Sequence, residues 1–231
     1  MSDVGVVIRT RNAERYLADS IRSVLEQTLA PSEIVVVDGD STDGTLEVLA
    51  SFGDSIRTVR QRRRGLAGAA QDGVDALTSP IVAFQDADDL WPSSRLEAMA
   101  SRLVADPSLD GVMGRVEHFI SPELPEEETR RFEIPDGPQP GAGLPSLLVR
   151  RTAFDRAGEF LDGLSAGEYL EWMDRAARAG VRIEAVETIA LRRRVHLWNF
   201  TRSPESKRDY IRAVREVMAR RRTDQARPSS P

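Results

Sequence analysis

Three aspartates fall within four positions at Asp86-Ala87-Asp88-Asp89, one residue beyond the apolar run Ile81-Val82-Ala83-Phe84. Carboxylates crowded in this way repel one another unless a cation compensates. Mg2+ and Mn2+ take oxygen ligands, commonly one or two carboxylates, with phosphates filling other positions. In an extended segment, side chains two apart share a side, so Asp86 and Asp88 face one ligand while Asp89 faces away. A helix start is the competing reading, with Asp88 or Asp89 capping a helix that Pro92 opens. We assign ligand contact to Asp86 and Asp88, and capping to Asp89.

Asp38 closes a second apolar run, Ile34-Val35-Val36-Val37, and leads into Gly39-Asp40-Ser41-Thr42-Asp43-Gly44. An acid at the carboxyl end of a strand is placed to accept hydrogen bonds from a ribose or base. The same stretch is rich in turn formers, and Ser41 or Asp43 could cap the next helix. A third cluster, Arg62-Arg63-Arg64-Gly65-Leu66-Ala67-Gly68, combines glycines with arginines. Carboxylates from two strand ends, with glycines and arginines from a third, suit a phosphorylated ligand with a hard cation. A solvated basic edge is the preferred reading for Arg62, Arg63, Arg220 and Arg221.

The elements that must position these residues follow from periodicity. Val4 to Ile8, Ile34 to Val37, Ile56 to Val59 and Ile81 to Phe84 read as strands. Helices are expected from Tyr16 to Leu25, Thr45 to Phe52, Leu66 to Leu77, and Pro92 to about Val104. This βαβα rhythm implies an α/β fold with a Rossmann-like, mostly parallel central sheet flanked by helices, whose ligands bind beyond the carboxyl ends of the strands. The second half is less regular. Strands are expected over Val112 to Phe119 and Leu147 to Val149, a long loop over Ser121 to Gly143, and an edge strand over Val181 to Val186. Helices are expected over Ala166 to Ala179 and Glu205 to Arg222, with a frayed tail from Thr223 to Pro231. Residues 1–110 read as a ligand-binding half, 111–204 as a second, smaller half of the same domain, and 205–231 as a terminal helix and tail.

Composition narrows the possibilities. The 231 residues are 40% hydrophobic and 30% charged, the balance of an ordinary globular chain. A net charge of −5 argues against a nucleic-acid partner. The chain has no cysteine, which excludes disulfides, thiolate metal sites and cysteine nucleophiles. The first apolar run is too short for a signal peptide, and no run approaches the ~18 residues of a membrane span. A cytoplasmic location is expected.

Val6 to Leu25, then Glu33 to Asp38 with Ser41-Thr42-Asp43-Gly44-Thr45, then Phe84-Gln85-Asp86-Ala87-Asp88-Asp89-Leu90-Trp91-Pro92, together resemble family 2 glycosyltransferases in order and spacing. The resemblance implies a GT-A fold with a small acceptor-side region. It also implies a nucleoside-diphosphate sugar donor (UDP, GDP or dTDP type), Mn2+ or Mg2+, an unknown acceptor, and usually inversion at the anomeric carbon. By position it implies that Thr10, Asn12 and Asp38 line a nucleoside pocket and that Gly65 lies beside the nucleotide. Asp86 and Asp88 would face ribose, metal and diphosphate.

Two later stretches extend the likeness. Gly167-Glu168-Tyr169-Leu170-Glu171-Trp172 resembles the motif Gly-Glu-Asp-x-Asp-Trp, with Tyr169 where the aspartate base usually stands. Glu168 is then the first choice of base and Glu171 the second; three apart on a helix, they can share a face, or both can be solvated helix acids. Arg192-Arg193-Arg194-Val195-His196-Leu197-Trp198-Asn199 resembles Arg-Arg-x-His-x-x-Asn, so His196 completes the metal shell or touches the diphosphate, unless it is structural. Departures are Arg9 in place of a frequent proline, Gly39-Asp40 in reversed order, and Gln71 in place of asparagine.

Three rival functions follow. A sugar-phosphate nucleotidyltransferase would need a glycine-rich basic loop, which Val4 to Asn12 lacks. A dinucleotide-binding dehydrogenase would need a GxGxxG after the first strand. A catalytically degenerate nucleotide-sugar-binding protein stays open because of Tyr169.

Overall fold

A computed structural model describes residues 3–200 and 203–225. The first half alternates strand and helix: β1 (Val4–Thr10), α1 (Leu17–Leu25), β2 (Glu33–Asp38), α2 (Thr45–Ala50), β3 (Arg57–Arg60), α3 (Gly65–Ala76), β4 (Ile81–Asp86) and α4 (Arg95–Ala105). The second half adds β5 (Gly111–Ile120), a one-turn helix α5 (Glu126–Thr129), β6 (Leu147–Arg150), α6 (Thr152–Ala157), α7 (Glu168–Arg178), β7 (Ile183–Val195) and α8 (Pro204–Gln225).

All seven strands join one sheet in the order β3-β2-β1-β4-β6-β5-β7. β1 pairs in parallel with both β2 and β4, β2 with β3, and β5 with β7; β6 runs antiparallel between β4 and β5. The two halves of the chain therefore share a single sheet. The apolar runs of β1, β2 and β4 reflect burial on both faces, as covered parallel strands require. Their side chains still alternate. Val6, Ile8, Ile34, Val36 and Ala83 pack against Leu17, Ile21, Leu96 and Met99, while Val7, Val35, Val37, Val82 and Phe84 meet Ala67, Ala70, Val74, Phe154 and Trp172. Small residues on α3 let it approach closely: a Cβ at Gly73 would stand 2.2 Å from Val7 Cγ1.

Several expectations are corrected. α4 begins at Arg95, not at Pro92, which lies in a preceding turn whose carbonyl accepts the Arg95 N–H at 3.1 Å. The strand expected over Val181 to Val186 is β7, an edge strand reaching Val195 and so containing Arg192 to Arg194. α6 was not anticipated, being too short to show a period. The expected loop over Ser121 to Gly143 includes α5 and a bridge between Gln139 and Val116. α8 continues to Gln225, and residues 226–231 lie outside the described residues. Among the described residues, no helix is long and apolar enough to cross a membrane.

Candidate functional site

The carboxyl ends of β1, β2 and β4 are where buried apolar strands turn polar. Strand register sets the pairs: Arg9 of β1 stands beside Asp86 of β4, and Thr10 of β1 beside Asp38 of β2. A cavity of about 660 Å³ opens over these ends, within the usual range for a ligand site. Thr10, Asn12, Gly65, Asp86, Asp88 and His196 all line it, together with Arg9, Arg11, Tyr16, Gln61, Arg193 and Trp198.

Asn12 and Gly65 shape the cavity through backbone conformations that most residues avoid. Asn12 has φ 51°, in the left-handed region that asparagine tolerates better than most side chains. Its N–H donates to Ser41 Oγ at 2.9 Å and its Oδ1 accepts the Thr42 N–H at 2.8 Å, joining the loops after β1 and β2. Gly65 has φ +75°, and a Cβ there would lie 2.4 Å from the Leu164 carbonyl oxygen. The approach to Gly65 is held by buried Asp72, whose carboxylate accepts the Arg62 and Arg63 N–H groups and the Arg63 guanidinium. Arg63 is thus an anchor of the loop, not part of a solvated edge.

The aspartate run divides its roles. Asp86 Oδ1 accepts Nε of Arg9 at 3.2 Å and also Nη2. Desolvation raises the Asp86 carboxyl above its ordinary value, although a third of its side chain is open to the cavity; Arg9 opposes that rise and Asp88 adds to it. Asp88 Oδ2 lies 2.9 Å from His196 Nε2 and accepts Asn199 Nδ2 at 3.2 Å. The Trp198 N–H donates to His196 Nδ1 at 3.2 Å, so the hydrogen-bond pattern assigns the ring proton to Nε2, facing Asp88. Asp89 does not cap a helix. It is 4% exposed, and its Oδ1 accepts the Arg194 N–H of β7 at 2.8 Å. Burial, with Asp88 and Asp86 nearby, pushes the Asp89 carboxyl well up.

Asp86 Oδ2 and Asp88 Oδ1 carry no hydrogen bond from the described residues. Two carboxylate oxygens open to a cavity suit a hard divalent ion that completes its shell with phosphate and water. No group of three or more His, Cys, Asp or Glu side chains that could hold a metal ion occurs among the described residues.

The remaining candidates are dispersed. Asp38 is 6% exposed, accepts Ser41 Oγ at 2.6 Å, and lines not the main cavity but a separate groove with Asp40, Thr42 and Arg60. Glu168 opens α7, is 8% exposed and does not line the cavity; Nη1 of Arg9 reaches it at 2.8 Å. Glu171 is fully buried and outside the cavity lining, bound by Arg175 at 2.8 Å and by Arg220. Burial raises its carboxyl, but those arginines outweigh burial and hold it below its ordinary value. Arg220 and Arg221 are therefore ion-paired, to Glu171 and Asp174, where a solvated edge was expected. Tyr169 donates its hydroxyl to Met113 Sδ, and burial lifts its pKa to about 12. Gln71 is structural, accepting the Phe160 N–H at 3.0 Å and donating to Asp75.

Sequence reading missed two contributors. Arg9, in the sequence only a departure from the family pattern, sits between Asp86 and Glu168. Asn199 closes the turn under His196 by accepting its N–H at 2.7 Å while donating to Asp88. The spacing His-x-x-Asn was the available signal for this second role.

Strand-end carboxylates, a glycine turn and a cavity over the carboxyl ends of parallel strands define a site for a phosphorylated ligand on an α/β scaffold. Comparison with known proteins makes the class specific. Residues 5–157 match the model for glycosyl transferase family 2. An uncharacterized glycosyltransferase of Nostoc sp. is 37% identical over 120 residues, covering 50% of this chain and 36% of that protein. The UDP-Glc:alpha-D-GlcNAc-diphosphoundecaprenol beta-1,3-glucosyltransferase WfgD of Escherichia coli is 35% identical over 103 residues, covering 44% of this chain and 41% of that protein. S. aureus TarS in complex with UDP-GlcNAc superposes with a TM-score of 0.71 over 94% of this chain and 65% of that one, at 18% identity, a likeness of fold. The chain belongs to glycosyltransferase family 2 and has the GT-A type of α/β fold. Its matches span about two fifths of the length of the two curated relatives.

Proposed function

We propose that this chain transfers a sugar from a nucleoside-diphosphate sugar to an acceptor hydroxyl, with inversion at the anomeric carbon. The observation that carries the reading is the meeting of Thr10, Asn12, Gly65, Asp86 and Asp88 in one cavity at the carboxyl ends of parallel strands. Among UDP, GDP and dTDP donors we favour UDP, because the E. coli relative is named for UDP-Glc and TarS was solved with UDP-GlcNAc. Residues 1–110 hold the donor in this reading. Residues 111–204, with the segment 121–143 and α7, shape the acceptor side.

Thr10 and Asn12 bind the nucleoside, with Asp38 behind them toward the ribose, and the Gly65 turn brings backbone up to the nucleotide. Asp88 and Asp86 would hold Mn2+ or Mg2+, with His196 and Asn199 fixing the Asp88 carboxylate; when bound, the ion stabilises charge on the departing diphosphate as a Lewis acid. Glu168 is the base we assign. Its Oε1 is held by Arg9, and its Oε2, without a hydrogen bond from the described residues, takes the acceptor proton as the acceptor oxygen attacks.

A specific observation favours a second reading, a nucleotide-sugar-binding protein without turnover. Tyr169 stands at the usual base position with a pKa of about 12, and Glu171 is locked by two arginines. Incubation with UDP-, GDP- and dTDP-sugars and Mn2+ separates the two. Slow release of nucleoside diphosphate supports the transferase; a rise in melting temperature without release supports the binder. No shift and no release with any donor contradicts both.

A further inference from the structure

Arg9 is a cation enclosed between two acids that belong to different parts of the site. Its side chain is 3% exposed, and it comes from β1, next to Thr10. Nε and Nη2 donate to Asp86 Oδ1 on β4, and Nη1 donates to Glu168 Oε1 at the start of α7. Enclosing a guanidinium is costly unless carboxylates compensate, and here two do. Both carboxylates in turn hold the guanidinium charged, above its ordinary value despite burial. A guanidinium has five N–H groups. Three are committed by these contacts, which leaves one on Nη1 and one on Nη2, on a residue that lines the cavity.

The charge balance at the acid run follows. Asp86, Asp88 and Asp89 crowd one stretch of the cavity wall, and Arg9 is the cation in direct contact with Asp86. Without Arg9, a divalent ion would have to offset Asp86 and Asp88 together. With it, the charge of Asp86 is already met by protein, and Asp88 is left as the principal anchor for a metal. The two uncommitted N–H groups are charge-assisted donors, the kind that bind phosphate oxygens strongly.

Resting on the glycosyltransferase reading, we propose that Arg9 is a resident cation of the donor site. It takes over at Asp86 part of the compensation a metal would supply, and it donates directly to the donor diphosphate. The chain then binds nucleoside diphosphate with substantial affinity in the absence of metal. Arg9 also holds Glu168 in place, so that donor and acceptor sides share one guanidinium.

The test is calorimetric titration of the folded chain with UDP, GDP and dTDP, each in EDTA and in Mn2+, and of the nucleotide-free chain with Mn2+ alone. Wild type should bind its preferred nucleotide in EDTA within about tenfold of its affinity in Mn2+. Arg9→Met should lose roughly 10- to 100-fold in EDTA, the range for one or two charge-assisted hydrogen bonds, and clearly less in Mn2+. Its affinity for Mn2+ alone should rise, because Asp86 is freed. Arg9→Lys should restore part of the binding in EDTA. Should Arg9→Met fail to fold because Glu168 loses its partner, Arg9→Met with Glu168→Gln removes both charges and is read in the same way.

Wild type that binds only with Mn2+ overturns the role of Arg9 and leaves the glycosyltransferase reading standing. Wild type that binds no nucleotide under either condition defeats that reading itself. Equal losses in EDTA and Mn2+ in the Arg9 variant, with Mn2+ affinity unchanged, reduce Arg9 to a structural residue and overturn the proposal.

Discussion

His196 Nε2 lies 2.9 Å from Asp88 Oδ2, joining the end of β7 to the acid run across 108 residues of sequence. Asn199 donates to the same carboxylate oxygen, and Tyr16 lies against the imidazole with ring centroids 4.7 Å apart. Asp88 is thus held by a clasp whose ring proton faces it, while its Oδ1 carries no hydrogen bond from the described residues. In the proposed site, His196 would act on a ligand by way of Asp88.

Removing the clasp should loosen the carboxylate without deleting it. His196→Ala should weaken binding of Mn2+ itself about 10- to 100-fold, the usual cost of losing a partner behind a metal ligand, and lower nucleotide affinity in Mn2+ toward its level in EDTA. Binding in EDTA should change far less. Titration of both conditions checks this, and equal losses would show that His196 touches the nucleotide itself.

Gly65 has no room for a side chain. Gly65→Ala places a methyl against the Leu164 carbonyl and forces an L-residue into φ +75°. We expect a stability loss of at least about 2 kcal/mol, from backbone strain plus the clash. Donor affinity should fall too, because the turn borders the cavity. Urea denaturation and a nucleotide titration measure the two effects separately.

Acid stability should depend on Glu33, far from the cavity. Burial raises its carboxyl, but hydrogen bonds from the side chains and N–H groups of Ser79 and Thr78 outweigh burial and set it at about 2, against 4.5 for an unperturbed group. A depressed carboxyl stabilises fully above its unfolded value, and that stability disappears as pH falls from 4.5 toward 2. Glu33→Gln should cost about 2–3 kcal/mol at pH 7 and flatten the acid limb between those values. Denaturant midpoints at pH 7, 4 and 3 provide the check.

Glu171 should matter to folding and little to transfer. Its carboxylate receives Arg175 of its own helix and Arg220 of α8, so it docks the last helix onto α7. Glu171→Gln should lower stability by about 1–3 kcal/mol and leave kcat per folded molecule nearly unchanged. A large fall in kcat at full stability would return Glu171 to the reaction.

Where burial shaped the sequence, the fold was legible. β1, β2 and β4 are covered on both faces and read as apolar runs, and their polar ends mark the cavity without further information. β7 was truncated in that reading because its later part carries Arg192, Arg193 and Arg194, which no hydrophobic pattern identifies as a strand. Arg194 is nonetheless buried, with its N–H on Asp89 and its guanidinium against Tyr16 and Phe119. Asp89 resembled a cap because its partner lies 105 residues away. Arg9 is the same case: its contact with Glu168 spans 159 residues, and no local spacing encodes it. Long-range polar pairs were what the sequence concealed, and the candidate bases are the residues they rearrange.

The most direct test is titration of UDP-sugars in Mn2+ into wild type and Asp88→Asn, which keeps the size of the side chain and removes its charge. The account predicts saturable binding to wild type and a loss of about tenfold in the variant, down to the affinity that wild type keeps in EDTA. Equal affinity of the two proteins, or no binding to wild type, would contradict it.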